Sequence, residues 1–244
     1  SDYLPVPGDY DGDGKGDLAV FDATTATWYV LRSASNFTTS YVFQAGGPVV
    51  TPVQGDYDGD GRTDMIVYDP TTGLWYGRTS SSNFTATLSV SWGGTGYAPA
   101  PGDYDGDGKA DLMVYQAVPG KWLALESSSN YTTSLVVDFG GPTYLATPAD
   151  FDADGITDIC VYQPSAGVWA MWKSSTGNVF GFTIGYGGSG YTAVPGDFDG
   201  DGRADIGVYS QAGGFFSILL SGENHATPLT RFWGGAGYRP VPLF

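Results

Sequence analysis

Residues 56–68 read Asp56-Tyr57-Asp58-Gly59-Asp60-Gly61-Arg62-Thr63-Asp64-Met65-Ile66-Val67-Tyr68. An acidic loop broken by glycines runs straight into an apolar, β-branched segment of strand character. The stretch recurs: acidic segments open at Asp9, Asp56, Asp103, Asp150 and Asp197, each 47 residues after the last. The same step carries Gly46-Gly47, Gly93-Gly94, Gly140-Gly141, Gly187-Gly188 and Gly234-Gly235, and a column of Trp28, Trp75, Trp122 and Trp169 with Phe216. A fixed period of this length marks a repeat architecture. The tail Tyr238-Arg239-Pro240-Val241-Pro242 repeats Tyr3-Leu4-Pro5-Val6-Pro7, so residues 238–244 read as the start of a sixth copy.

Within the second unit, Pro52-Val53 leads into the loop, Met65 to Tyr68 is a strand, Pro70 to Gly73 a turn and Leu74 to Tyr76 the next strand. Ser80 to Asn83 turns again, Thr87 to Trp92 forms an outer strand, and Gly93-Gly94 returns the chain. About four strands per repeat with no 3.6-residue apolar period is the signature of a propeller blade rather than a helical solenoid. The expected fold is all-β, a five-bladed β-propeller in a single domain over residues 1–244, with units at about 3–49, 50–96, 97–143, 144–190 and 191–237 and ring closure at the tail. A compact monomer is expected. One blade cannot bury both faces alone, so its neighbours supply the core. The pairs Leu18/Val20, Met65/Val67, Leu112/Val114, Ile159/Val161 and Ile206/Val208 fit that role, and Cys160 falls on the alternate, equally apolar face as an inert core thiol.

Composition narrows the function classes. Of 244 residues, 26 are acidic and 10 are Lys or Arg, a formal charge of -16. That excess argues against sequence-independent binding to nucleic acid or anionic lipid, which needs basic clusters. With 41% hydrophobic and 15% aromatic residues the chain has the apolar area to fold. No run approaches the roughly 20 apolar residues of a helical span, so membrane insertion is not expected. A lone cysteine permits neither an intrachain disulfide nor a cysteine-based zinc site. Ser1 to Pro5 has neither a basic nor an apolar stretch, and no signal peptide is expected there.

Each unit carries Asp-x-Asp-x-Asp-Gly-x-x-Asp: Asp9, Asp11, Asp13 and Asp17; Asp56, Asp58, Asp60 and Asp64; Asp103, Asp105, Asp107 and Asp111; Asp150, Asp152, Asp154 and Asp158; Asp197, Asp199, Asp201 and Asp205. Calcium takes six to eight hard oxygens, and carboxylates at loop positions 1, 3, 5 and 9 with a backbone carbonyl at 7 can wrap it while glycine at 6 makes the sharp turn. The carbonyls would come from Lys15, Arg62, Lys109, Ile156 and Arg203. Helix-flanked calcium loops end in Glu at position 12, whereas this chain has Val20, Val67, Val114, Val161 and Val208 there, each in a strand. Polar turns are also rich in Asp and Gly, but a turn needs one or two carboxylates, and four converging ones repel without a cation. Five Ca²⁺ sites are expected, one per repeat.

The loops, the strands after them and the glycine pairs before each Pro-Val-Pro-like segment resemble FG-GAP/VCBS-type repeats over essentially the whole chain. The resemblance includes the calcium-bearing blades of integrin α-subunit propellers and extends in architecture to five-bladed tachylectin-type lectins. It implies a calcium-stabilised propeller, secreted or at the cell surface as a domain of a larger protein, with a role in adhesion, glycan binding or as an accessory to polysaccharide-degrading enzymes.

Outside the loops the acidic residues are Asp2, Asp22, Asp69, Asp138, Glu126 and Glu223, which form no recognisable catalytic pair, and His225 has no evident partner. No catalytic residue is assigned. A non-enzymatic recognition or scaffold module for a glycan or extracellular protein is expected; the alternative is a carbohydrate-active enzyme, a polysaccharide lyase or glycosidase, with its site on the propeller axis. Two aromatic columns suit ligand contact. From them Trp92, Tyr97, Tyr186, Tyr191, Trp233 and Tyr238 are the candidates, although blade packing uses rings of the same kind. The Ser80-Ser81-Ser82-Asn83 and Ser127-Ser128-Ser129-Asn130 segments are polar enough for sugars and equally normal as solvated turns.

Overall fold

A computed structural model describes residues 3–45, 47, 49–235, 238 and 240. Gly46 of the glycine column, Asp2 and most of the tail repeat (Arg239, Val241 and Pro242) lie outside the described residues. The chain folds as five antiparallel sheets of four strands, the blades of a five-bladed β-propeller. Blade one has Tyr3–Pro5, Leu18–Asp22, Thr27–Leu31 and Ser40–Gln44; blade two has Thr51–Pro52, Met65–Asp69, Leu74–Arg78 and Thr87–Ser91. Blade three has Ala98–Pro99, Leu112–Gln116, Lys121–Leu125 and Ser134–Asp138; blade four has Leu145–Ala146, Ile159–Gln163, Val168–Lys173 and Val179–Gly185; blade five has Tyr191–Ala193, Ile206–Ser210, Phe215–Leu219 and Pro228–Phe232. The only helical elements among the described residues are five single 3-10 turns, each between the third and fourth strand of a blade. Among the described residues no helix is long and apolar enough to cross a membrane.

The residues divide into two compact units, one running to Val114 with Leu123–Leu135, the other Tyr115–Trp122 with Val136–Leu243. In the first unit, Met65 and Val67 of blade two pack with Phe21, Trp28 and Val30 of blade one. Leu112 and Val114 pack in turn with Ile66, Tyr68 and Trp75. In the second unit, Ile206 and Val208 of blade five meet Cys160, Tyr162 and Trp169 of blade four. The strands that carry the apolar pair in blades two to five are buried on both faces, as their uninterrupted apolar sequence requires. Burial pushes the Cys160 thiol up to about 12, which keeps it protonated and unreactive. Leu18 departs from its column: it is 62% exposed, whereas Met65, Leu112, Ile159 and Ile206 are fully buried.

The glycine pair closes blades two to five. The Tyr68 hydroxyl accepts the Gly94 N–H at 2.8 Å, and Tyr115, Tyr162 and Tyr209 do the same for Gly141, Gly188 and Gly235. At Gly93, φ is +87°, and a Cβ would lie 2.8 Å from that hydroxyl oxygen, so the corner admits no side chain. The core tryptophans tie to the same corner. Trp75, Trp122 and Trp169 donate their indole N–H to the carbonyls of Trp92, Phe139 and Tyr186, each at 3.1 Å.

Candidate metal centres and inter-blade grooves

Loop two, residues 56–64, shows how the sequence builds the site. An antiparallel bridge pairs Gly55 with Asp64 and pinches the loop's base. Between them the chain turns twice through left-handed glycines, Gly59 at φ 81° and Gly61 at φ 79°. Asp56 fixes both turns by accepting the Gly59 N–H on one oxygen at 2.6 Å and the Gly61 N–H on the other at 2.7 Å. Tyr57 points inward and donates its hydroxyl to the Val53 carbonyl at 2.7 Å. Asp64 is buried and accepts the N–H groups of Tyr57 at 2.8 Å and Ser80 at 2.6 Å.

The other loops repeat this plan. Carboxylate oxygens within 4.8 Å of one another come from Asp9, Asp11 and Asp13 in loop one. In the other loops the groups are Asp56, Asp58 and Asp64; Asp103, Asp105 and Asp111; Asp150, Asp152 and Asp158; and Asp197, Asp199 and Asp205. The first and second carboxylates of the motif, at loop positions 1 and 3, meet in all five; the third joins them in loop one and the last in the other four. Asp13, Asp60, Asp107, Asp154 and Asp201 accept a serine hydroxyl at 2.8–2.9 Å. Arg62 and Arg203 fold their guanidinium groups onto Asp60 and Asp201, holding the Asp201 carboxyl down at about 2, and Lys15 lies 3.4 Å from Asp13.

One feature points to a cation. The Oδ1 atoms of Asp11, Asp58 and Asp152 are buried and have no hydrogen-bond partner, although each residue's other oxygen is engaged. A buried carboxylate oxygen without a donor is costly, and a hard cation relieves it. The clusters therefore fit a metal that prefers oxygen, and the five Asp groups, one per blade, can hold one.

The serine turns prove to be part of this site rather than solvated spacers. Ser33, Ser80, Ser127, Ser174 and Ser221 each donate a backbone N–H to the last Asp of their loop at 2.6–2.7 Å and a hydroxyl to the third Asp of its motif. Ser81, Ser128 and Ser175 add hydroxyl bonds to Asp58, Asp105 and Asp152. The turn between strands three and four is thereby bolted to the loop between strands one and two. The signal was present in the sequence: serine stands at all five of these positions, 16 residues after the last Asp of each loop.

Burial pushes the Asp64 and Asp111 carboxyls up to about 6, more than their hydrogen bonds pull them down, and moves Asp158 in the same direction. An Asp in an unfolded chain titrates near 3.9. Across the interval from about 4 to 6 the metal-free fold therefore binds more protons than the unfolded chain, and its stability falls as pH rises through that window. A cation favours the charged form and reverses the trend. With EDTA present, the melting midpoint is expected to drop from pH 5 to pH 7, while the gap between metal-loaded and metal-free protein widens. A chelated protein that gains stability over that range would contradict this assignment.

The predicted ligand aromatics are distributed unevenly. Trp92 and Tyr97 share a groove of about 340 Å³ with Thr72, Ser91, Gly93 and Leu123. The equivalent positions in the second unit, Phe139 and Tyr144 with Pro119, Gly120 and Asp138, line another of about 370 Å³. Trp92 donates its indole N–H to the Leu123 carbonyl at 2.9 Å. The Tyr186 hydroxyl bonds Ser217 at 2.5 Å, and Tyr191 packs edge-on against Phe215. Trp233 and Tyr238 are 80% and 66% exposed. Of the other carboxylates, Asp22 and Asp69 cap turns through the N–H groups of Thr24 and Thr71, Asp138 pairs with Lys121 at 2.9 Å, and Glu126 accepts the Thr133 hydroxyl.

A family model described as FG-GAP-like repeat matches residues 9–67, 56–114 and 150–208. No curated protein sequence matches the chain. Among solved structures, a lectin of Agrocybe aegerita, described as recognising non-reducing terminal N-acetylglucosamine, is similar with a TM-score of 0.62 at 17% identity, over 94% of this chain and 65% of that one. A streptogramin B lyase matches with a TM-score of 0.56 at 10% identity, over 95% and 72% of the two chains. BBS1N, solved in complex with ARL6DN, matches with a TM-score of 0.54 at 11% identity, over 94% and 69%. The chain thus spans about two thirds of the length of these structures. At such identities the likeness is one of fold.

Proposed function

The chain belongs to the FG-GAP-like repeat family, and on that footing we propose that it is a calcium-loaded, non-enzymatic recognition module of the cell exterior, binding a glycan or an extracellular protein. The observation that carries the metal is the set of buried, unpartnered oxygens on Asp11, Asp58 and Asp152. The four carboxylates of each loop and the position-7 carbonyls of Lys15, Arg62, Lys109, Ile156 and Arg203 would hold the ion. An all-protein oxygen cage suits Ca²⁺ better than Mg²⁺, which keeps several waters. Bound calcium would offset half the carboxylate charge of each loop and lock it to its serine turn.

Recognition is assigned to the grooves beside Trp92/Tyr97 and Phe139/Tyr144. Their volumes fall in the range of small-ligand sites, and a ring face beside hydroxyl and backbone groups suits a sugar. The similarity in fold to a lectin supports the same reading. Blades joined by rigid metal loops would present the grooves with little ordering cost.

A glycan array probed with the calcium-loaded protein and again in EGTA tests the proposal. Calcium-dependent retention of a glycan class, weakened by Trp92→Ala and without turnover, is the expected outcome. Release of product from any polysaccharide would replace it with the carbohydrate-active enzyme.

A further inference from the structure

One position beside the loops changes its charge from blade to blade. The residue before each serine turn, 21 positions after the second Asp of its loop, is Arg32, Thr79, Glu126, Lys173 and Leu220 in blades one to five. It is half-buried in all five, so the fold accepts a cation, a hydroxyl, an anion or a leucine there. The two cations both turn to their loops. Arg32 Nε lies 3.6 Å from Asp11 Oδ2, and Lys173 Nζ lies 3.8 Å from Asp152 Oδ2. These are charge contacts longer than a hydrogen bond, and the Arg32 Nε is buried with no hydrogen-bond partner among the described residues. Each cation also rests on a ring of its own blade's outer strand, Arg32 at 4.8 Å from the Tyr41 centroid and Lys173 at 5.9 Å from that of Phe182. The other oxygen of the same two carboxylates, Oδ1 of Asp11 and of Asp152, is buried and unpartnered, and the Asp11 side chain is 0% exposed. Glu126 instead gives an oxygen to the Thr133 hydroxyl.

We propose, on the footing that the loops bind calcium, that Arg32 and Lys173 are built-in counter-cations that make loops one and four the weak, exchangeable sites, while loops two, three and five hold their ions. A side-chain cation beside a ligating carboxylate repels a divalent ion. For charges roughly 6 Å apart in a water-like dielectric the repulsion amounts to about tenfold in affinity, and to more in a drier site. In the metal-free loop the same cation offsets part of the converging negative charge, so these two blades lose less when their ions leave. Loop one carries a second, more exposed cation: Lys15 lies 3.4 Å from Asp13, which is one of the three converged carboxylates there. Arg62 and Arg203 hold Asp60 and Asp201, which stand outside the converged three of loops two and five. Loop one is therefore the first to empty as calcium falls, and loop four the second.

Titration of the calcium-depleted chain with Ca²⁺ in competition with a chromophoric chelator of known affinity provides the test, because it resolves classes of site without any ligand or activity. Three tight ions and two weaker by about tenfold or more are expected. Arg32→Thr and Lys173→Thr, which install the residue that blade two carries at this position, are each expected to move one ion into the tight class, leaving four tight and one weak. Thr79→Arg makes the converse change beside Asp58 and is expected to leave two tight and three weak. Five ions within about threefold of one another, an Arg32→Thr protein that keeps three tight and two weak, or a Thr79→Arg protein that still holds three tight ions would each overturn the proposal while leaving calcium in the loops. A chain that binds no ion would overturn the calcium reading together with it.

Discussion

In excess EGTA the melting temperature of the calcium-loaded protein is expected to fall by tens of degrees. Five clusters bring three carboxylates each within 4.8 Å of one another, and three of them hold a buried oxygen with no donor. An ion present at 100 times its dissociation constant stabilises the native state by about 2.7 kcal/mol per site. Five such sites amount to about 13 kcal/mol, against a total stability of roughly 5–15 kcal/mol for an ordinary domain. At about 2–4 °C per kcal/mol for a chain of this size, the loss is on the order of 25 °C or more. Differential scanning calorimetry with EGTA, then with Ca²⁺ or Mg²⁺ restored, checks it. Recovery with Ca²⁺ alone is expected; a melting curve indifferent to chelator would remove the metal from the account of stability.

Trp75→Ala is expected to cost about 3–5 kcal/mol, the range for an aromatic side chain deleted from a packed core. Trp75 is fully buried, its ring centroid lies 5.0 Å from that of Tyr68, and its N–H holds the Trp92 carbonyl at the blade corner. Its cluster includes Leu112 and Val114, so the cavity would open between blades two and three. Urea unfolding of the calcium-loaded protein reads the effect as a lower midpoint. Trp75→Phe keeps much of the buried area and should lose less, chiefly the hydrogen bond, about 1 kcal/mol. A Trp75→Ala midpoint equal to that of the wild type would mean the column does not carry the blade core.

The blade strands and the acidic loops were legible in the sequence because period two, glycine pairs and carboxylate spacing are local signals repeated five times. Met65, Leu112, Ile159 and Ile206 are buried as their pattern predicts, and Cys160 lies in the core among Tyr162, Trp169 and Met171. The serine turns were misread because a serine that donates to a carboxylate across the blade has the same local composition as one facing water. Only the invariance of Ser33, Ser80, Ser127, Ser174 and Ser221 distinguishes them. Leu18 carries the apolar pattern of its column but not its burial, since the pattern records the face of the strand a residue belongs to and not its exposure. The ligand columns divided for a similar reason: Trp92 and Tyr97 meet in a groove, whereas Tyr186 is tied to Ser217.

The charge of -16 takes on a different meaning beside these sites. The loops hold twenty Asp, and five bound Ca²⁺ would leave the protein at about -6. Acidity that argues against nucleic acid as a partner is thus, in this account, mostly the charge of a metal cage.

Calorimetric titration of calcium-depleted protein with Ca²⁺ tests that account most directly, because it counts ions without reference to stability or ligand. Five Ca²⁺ per chain are expected, falling to four when Asp56, Asp58 and Asp64 are together replaced by Asn. Less than one ion bound per chain at millimolar Ca²⁺, a concentration that fills even weak extracellular sites, would contradict it.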